Sequence, residues 1–419
     1  MTDVRRAVPG AVQGADALAG GVARRPHDGD SRIPAGASAP HRRLQRLSAL
    51  DRDALGLWVL SHIAVWTVAI GAGYLFATAE AGGVIPLLER WQQWDFHHYW
   101  GIALYGYGGD PTGVPNEAFF PGFPAALWLG DALGLPHIVA GLLVSMLGGA
   151  VAVVALARLA AVDHGPAAGR RTVLIWMLAP TAVFLAAPYT EALFLGLALP
   201  AWLAARRGRW ALAGLLAAGA MSVRVSGVFL AAALVVQWLV QPDGGPRADR
   251  WHRAARELPW LATPGLVLLA WMTYLRWLTG DWLAWVHAQE KEWRRELTPP
   301  WVAASQTWEA ATGGFQNANF TWMFRAELVA MAVGVIATVL LVAHRHWGEA
   351  TWVGLHVAAF GTSYWFFSVP RATLLWWPLW IGLAVWSLRR RWVLPAYVAV
   401  CGPLMVLWAA TYLTGRWAG

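Results

Sequence analysis

Long apolar stretches separated by short polar connectors run through most of the chain. After about fifty polar residues, apolar runs fall near 54–77, 137–157, 172–187, 190–205, 210–223, 225–240, 260–278, 326–343, 350–368, 373–388 and 393–413. A membrane-crossing helix needs roughly 20 apolar residues, or fewer where it packs against other helices. The pattern predicts an all-α polytopic membrane protein with about eleven transmembrane helices (ten to twelve). Several runs in the middle are short enough to be half-helices buried in protein. The segment 118–134 is apolar too, but Pro121, Pro124, Gly130 and Asp131 interrupt it. It is expected to lie at the interface or to re-enter, and not to cross.

Composition agrees. The 419 residues are 58% hydrophobic and only 13% charged, against about 25% charged in soluble domains. A single soluble domain, a disordered chain and a disulfide scaffold are thereby excluded. The net charge is +8 and Lys291 is the only lysine among 32 basic residues. The arginines cluster at the ends of apolar runs, which points to membrane topology and away from nucleic acid. The lone Cys401 excludes disulfides and cysteine-ligated metals. Thirty tryptophans suit membrane interfaces.

Residues 1–50, rich in Ala, Gly, Pro and Arg, read as a disordered cytoplasmic tail. No apolar core begins before Leu55, so a signal peptide is not expected. Residues 51–419 read as one transmembrane domain. With the N-terminus inside and 118–134 not crossing, 23 of the 32 basic residues collect on the cytoplasmic side, as the positive-inside rule requires. The expected location is the plasma (inner) membrane, with outer loops at about 78–136 and 279–325.

On that outer side the chain concentrates its chemistry. The first loop reads Trp94-Asp95-Phe96-His97-His98-Tyr99-Trp100, followed by Tyr105 and, further on, Glu117-Ala118-Phe119-Phe120-Pro121. An aspartate among aromatics at a membrane surface is either a desolvated proton acceptor or a solvated acid on an interfacial helix. In Pro188-Tyr189-Thr190-Glu191, Glu191 falls in the first turn of a helix, where an anion is favoured. It also sits at membrane depth, where an acid is a functional candidate. Arg224 stands alone in an apolar stretch, and Arg371 stands alone at an outer span end. Each either pairs with Glu191 or Asp95, or holds a phosphate, for which a guanidinium fork is suited. The charged run Gln289–Glu296 reads as a solvated amphipathic helix; Lys291 recognising an acceptor headgroup is the lesser alternative. There is no phosphate-cradling glycine loop and no HExxH motif. Adjacent His97 and His98 point apart on a helix, and a divalent cation between Asp95 and Glu117 is only weakly signalled.

The first-loop motif, the Ala187-Pro188-Tyr189-Thr190-Glu191-Ala192-Leu193-Phe194 segment and Ser222-Val223-Arg224-Val225-Ser226-Gly227 together resemble the PIG-V-type GPI mannosyltransferase family. The arginine-for-lysine usage is that of a bacterial member. The resemblance implies a GT-C glycosyltransferase that takes mannose from a polyprenyl phosphate on the non-cytoplasmic face. It implies Asp95 as catalytic base and Arg224, Arg371 and His97 on the donor phosphate. Glu117, Tyr189 and Glu191, together with the aromatics Trp94, Tyr99, Trp100 and Tyr105, would meet the substrate. The implied partners are the lipid-linked sugar donor, a glycolipid or other envelope acceptor and membrane lipids, with no nucleotide, metal or nucleic acid. A lipid or glycolipid transporter, or a non-catalytic assembly subunit, is the alternative.

Overall fold

The computed structural model describes residues 47–75, 85–109, 115–241 and 247–419, so the expected disordered tail lies almost wholly outside the described residues. The chain divides into two units, Met1–Arg46 and Leu47–Gly419, and the architecture below is that of the second.

All regular structure among the described residues is helical. Helix α1 is Ala49–Leu75; α2 (Asp95–Tyr105) and α3 (Gly122–Ala132) belong to the first outer loop. The central bundle follows with α4 (His137–Met177), the single-turn α5 (Val183–Ala186), α6 (Thr190–Arg206), α7 (Trp210–Val223), α8 (Ser226–Val240), α9 (Arg247–Leu261) and α10 (Thr263–Thr279). The second loop carries α11 (Ala284–Trp293) and α12 (Pro300–Thr312). Then come α13 (Ala318–Ala343), α14 (Trp347–Gly361), the single turn α15 (Val369–Ala372), α16 (Trp377–Arg389) and α17 (Val393–Leu413). Among the described residues five stretches are long and apolar enough to cross a membrane: Ala49–Tyr74, His137–Met177, His252–Thr279, Ala318–Ala343 and Val393–Leu413. The chain is an integral, multi-pass membrane protein. Helices α7 and α8 are apolar but short, as are α6, α14 and α16.

Helix α3 has 11 residues and so rises about 16 Å, half of a hydrocarbon core of about 30 Å. Its length fits the expectation that 118–134 does not cross. Other boundaries depart from expectation. The runs near 137–157 and 172–187 join into α4, a 41-residue stretch broken only at Gly165 (φ 79) and Pro166. Glycine accepts the positive φ and proline restarts the helix with no N–H to satisfy. Arg158, Arg170 and Arg171 are therefore helical and not in a loop, and the second half ends at Met177, ten residues early.

Two features of the bundle position the site. Gly148 on α4 and Gly196 on α6 meet backbone to backbone: a Cβ on Gly148 would lie 2.8 Å from the Ala192 carbonyl, and one on Gly196 2.6 Å from that of Gly148. Such small-residue contacts bring two helices close where lipid supplies no hydrophobic drive. The other is the break between α15 and α16. The indoles of Trp380, Trp176 and Trp352 donate to the carbonyls of Thr373, Leu374 and Leu375 at 2.9, 3.1 and 2.9 Å. Broken backbone survives inside a membrane protein only when its freed groups are satisfied in this way. Interfacial anchoring, expected of the tryptophans, is thus only part of their use: Trp91, Trp176, Trp202, Trp352, Trp376 and Trp377 are all fully buried.

Candidate active site

Four charged side chains converge from four separate elements. Asp95 opens α2, Glu191 lies in the first turn of α6, Arg224 occupies the extended residue between α7 and α8, and Arg371 sits on α15. Arg371 donates from Nε to Glu191 Oε1 at 2.5 Å and from Nη1 to Asp95 Oδ2 at 2.8 Å. Arg224 pairs with the same Glu191 oxygen and donates to Thr190 Oγ1 at 2.7 Å. Glu191 is fully buried, and its Oε2 has no hydrogen-bond partner. A buried carboxylate oxygen without a donor is costly. Asp95 remains 22% exposed at its side chain, and Arg371 holds only one of its oxygens.

The supports are local and specific. Trp94 takes φ 47, a region a bulky residue rarely adopts, and so swings Asp95 inward at the start of α2. Tyr189 and Tyr412 tie the preceding turn, donating from their hydroxyls to the carbonyls of Gln93 (2.8 Å) and Trp91 (2.9 Å). Arg371 is held over the rings of Tyr189 and Phe184, at 4.9 and 5.2 Å. Ser145 on α4 donates to the Ala187 carbonyl at 2.6 Å, fixing the chain just before Pro188 and Glu191.

Of the expected site residues, Asp95, Glu191, Arg224, Arg371 and Tyr189 come together. For Arg224 and Arg371 the ion-pair alternative is realised, and Asp95 has a cationic partner instead of standing alone. Of the others, Tyr99 packs against its edge. His97 is exposed and makes no contact with it. Glu117 lies in the turn Asn116–Ala118, half-buried. Tyr99, at 3% exposure, packs against Phe119, Phe123 and Tyr189, so its ring is not free to stack on a sugar; burial and nearby Asp95 push its phenol upward and keep it protonated. Trp100 packs on Phe96 and His137. Trp94 and Tyr105 remain exposed. His98 stacks on Phe119 and meets the Asn116 side chain at 3.2 Å. Lys291 is exposed and away from the cluster. No group of three His, Cys, Asp or Glu side chains gathers to hold a metal among the described residues.

Two residues were missed. Glu327 on α13 accepts from the backbone N–H groups of Ser368 and Val369, both at 2.7 Å, and so caps the turn that carries Arg371. An acid inside an apolar helix was the available signal. Arg295, taken for part of a solvated helix, is half-buried beside the cluster. Burial and the Arg371 and Arg224 guanidiniums push it down to about 10, still charged at neutral pH. The two outer loops also meet: Trp285 and Gln289 on α11 donate to the Ala118 carbonyl at 3.1 and 3.0 Å.

GPI alpha-1,6-mannosyltransferase 2 of Rattus norvegicus is 38% identical over 165 residues, 36% of this chain and 33% of that protein. The Homo sapiens protein of the same name is 39% identical over 153 residues, 34% of this chain and 30% of its own length. The chain thus matches about a third of these relatives' length. Among solved structures it is similar to ArnT from Cupriavidus metallidurans bound to undecaprenyl phosphate, with 17% identity and a TM-score of 0.48 over 86% of this chain and 70% of that one. Residues 84–241 match the family described as Mannosyltransferase (PIG-V), a stretch that takes in Asp95, Tyr189, Glu191 and Arg224.

Proposed function

We propose that the protein is a polyprenyl-phosphate-sugar-dependent glycosyltransferase. In this reading it is an inverting α-mannosyltransferase that extends a lipid-linked or cell-envelope glycan on the non-cytoplasmic face. The observation that carries the reading is the convergence of Asp95 and Glu191, both inside the family match, on Arg371 from outside it, with Arg224, also inside the match, paired to the same Glu191 oxygen.

The acceptor hydroxyl approaches the Asp95 carboxylate and gives up its proton as its oxygen attacks the anomeric carbon. The bond from that carbon to the phosphate oxygen breaks on the opposite side, and its electron pair leaves with the phosphate. A β-linked donor then gives an α-linked product. Arg371 holds Asp95 by one oxygen and orients the other. Glu191 Oε2, which lacks a donor of its own, accepts a sugar hydroxyl. A guanidinium at the site opposes the negative charge that grows on the leaving phosphate.

Purified protein incubated with polyprenyl phosphate mannose and a glycolipid acceptor should transfer mannose. Asp95→Asn should lower transfer at least about a thousandfold while donor binding persists. Full transfer by that variant would refute Asp95 as the base. Movement of donor across a vesicle without transfer would favour a transporter, and absence of both a non-catalytic subunit.

A further inference from the structure

Arg224 and Arg371 are each tied to a carboxylate: Glu191 receives both, and Asp95 receives Arg371 as well. Two guanidiniums and two carboxylates cancel, so this cluster offers an incoming phosphate no net positive charge. A phosphate that took Arg371 would strip Asp95 of its cation, and one that took Arg224 would leave Glu191 and Asp95 sharing Arg371 alone, so either exchange gives up part of the cluster's pairing.

A third guanidinium stands beside them. Past the C-terminus of α11, Arg294 takes φ 50 and turns the chain. On one side Trp293 lodges against His98 and Phe119, at 5.7 and 5.3 Å, which ties it to α2 and the first loop. On the other, Arg295 lies over the Phe360 ring at 5.7 Å, Arg294 lies over Tyr364 at 4.9 Å, and Thr298 N–H bonds the Thr362 carbonyl at 2.8 Å. The segment therefore bridges the Asp95 helix and the end of α14, and Arg295 sits between them within electrostatic reach of Asp95, Arg224, Arg371 and Glu327. Its Nε is sealed from solvent with no hydrogen-bond partner, and no carboxylate pairs with it among the described residues. A buried guanidinium N–H lacking an acceptor is a standing cost that an anion would relieve.

We propose that Arg295 is the residue that grips the phosphate of a prenyl-phosphate substrate, leaving the Asp95–Arg371–Glu191–Arg224 cluster paired for the sugar and the acceptor. This assignment rests on the glycosyl-transfer reading above. It gives the second outer loop a substrate-binding role and separates phosphate recognition from proton abstraction.

The test is equilibrium binding to the full-length protein in lipid nanodiscs, with undecaprenyl monophosphate as probe and uncharged undecaprenol as its control. Arg295→Gln should weaken monophosphate binding about 10- to 100-fold and Arg295→Lys less, while undecaprenol binding stays as in wild type. Wild-type affinity for the monophosphate in Arg295→Gln would overturn the assignment, as would an equal loss for both lipids, the mark of a purely structural role. Competition by inorganic phosphate as effective as by the lipid would overturn the prenyl-phosphate class. Wild-type protein that does not distinguish the two lipids would sink the donor reading as well.

Discussion

Glu191 is the carboxylate on which the site's electrostatics turn, because it alone accepts from both Arg224 and Arg371. Its burial is complete, so neutralising it strands Arg224 and leaves Arg371 with Asp95 alone in a medium that solvates guanidiniums poorly. Removing one partner of a buried pair costs about 3–5 kcal/mol. Glu191→Gln should therefore lower the midpoint of thermal unfolding in detergent as well as transfer, whereas Asp95→Asn, at a more exposed carboxylate, should lower transfer with little change in that midpoint. Equal midpoints for the two variants would contradict this division of labour. Glu191 was legible as a candidate because an acid at membrane depth demands a partner. Its actual partners were not, since Arg371 lies 180 residues further along the chain and nothing local links them.

At the scale of elements, Arg371 depends on a turn that could not hold itself. Ser368 takes φ 70, and the single-turn α15 has no internal means of satisfying its first N–H groups. Glu327 supplies the two acceptors from α13, and Thr181 donates to the Pro370 carbonyl at 3.1 Å. Glu327 thus acts through Arg371 as a positioning residue. Glu327→Ala should cut transfer at least about tenfold, and the double variant with Arg371→Gln should be no worse than Arg371→Gln alone; additive losses would show that the two act independently. The α4–α6 contact is the other element-level dependence. Gly148→Val places a branched side chain 2.8 Å from the Ala192 carbonyl, so the helices must part. The variant should lose several kcal/mol of stability and transfer with it, which chemical denaturation in detergent would measure.

For the molecule as a whole, the helices sort the charges by end. Helix α6 carries Glu191 in its first turn and ends at Arg206, about 22 Å further on. Likewise α13 runs from Glu327 near the site to the His344 and Arg345 turn, and α16 from the Trp377 end to Arg389. At that far end Arg206 pairs with Asp163 at 2.9 Å and Arg158 with Asp51 at 2.8 Å. If the arginine-rich end is cytoplasmic, a membrane-impermeant thiol reagent should label Tyr105→Cys from the outside of intact cells and Arg390→Cys only after permeabilisation, with native Cys401 replaced by serine. Labelling of both from one side would overturn the topology.

Helical class, the membrane setting, most helix boundaries and the grouping of Asp95 with Glu191 and Arg224 were determined by the sequence alone. Apolar run length and charge at the run ends are local quantities that hydrocarbon and water read directly, and the motifs lie close enough together to be recognised as one set. Three-dimensional packing decided the rest. It chose which arginine meets which acid, recruited Glu327 as a cap, buried Tyr99 and folded the second loop so that Arg295 enters the site. Each of these outcomes depends on groups from distant elements competing for the same few buried partners, and that competition is resolved only once the helices are packed.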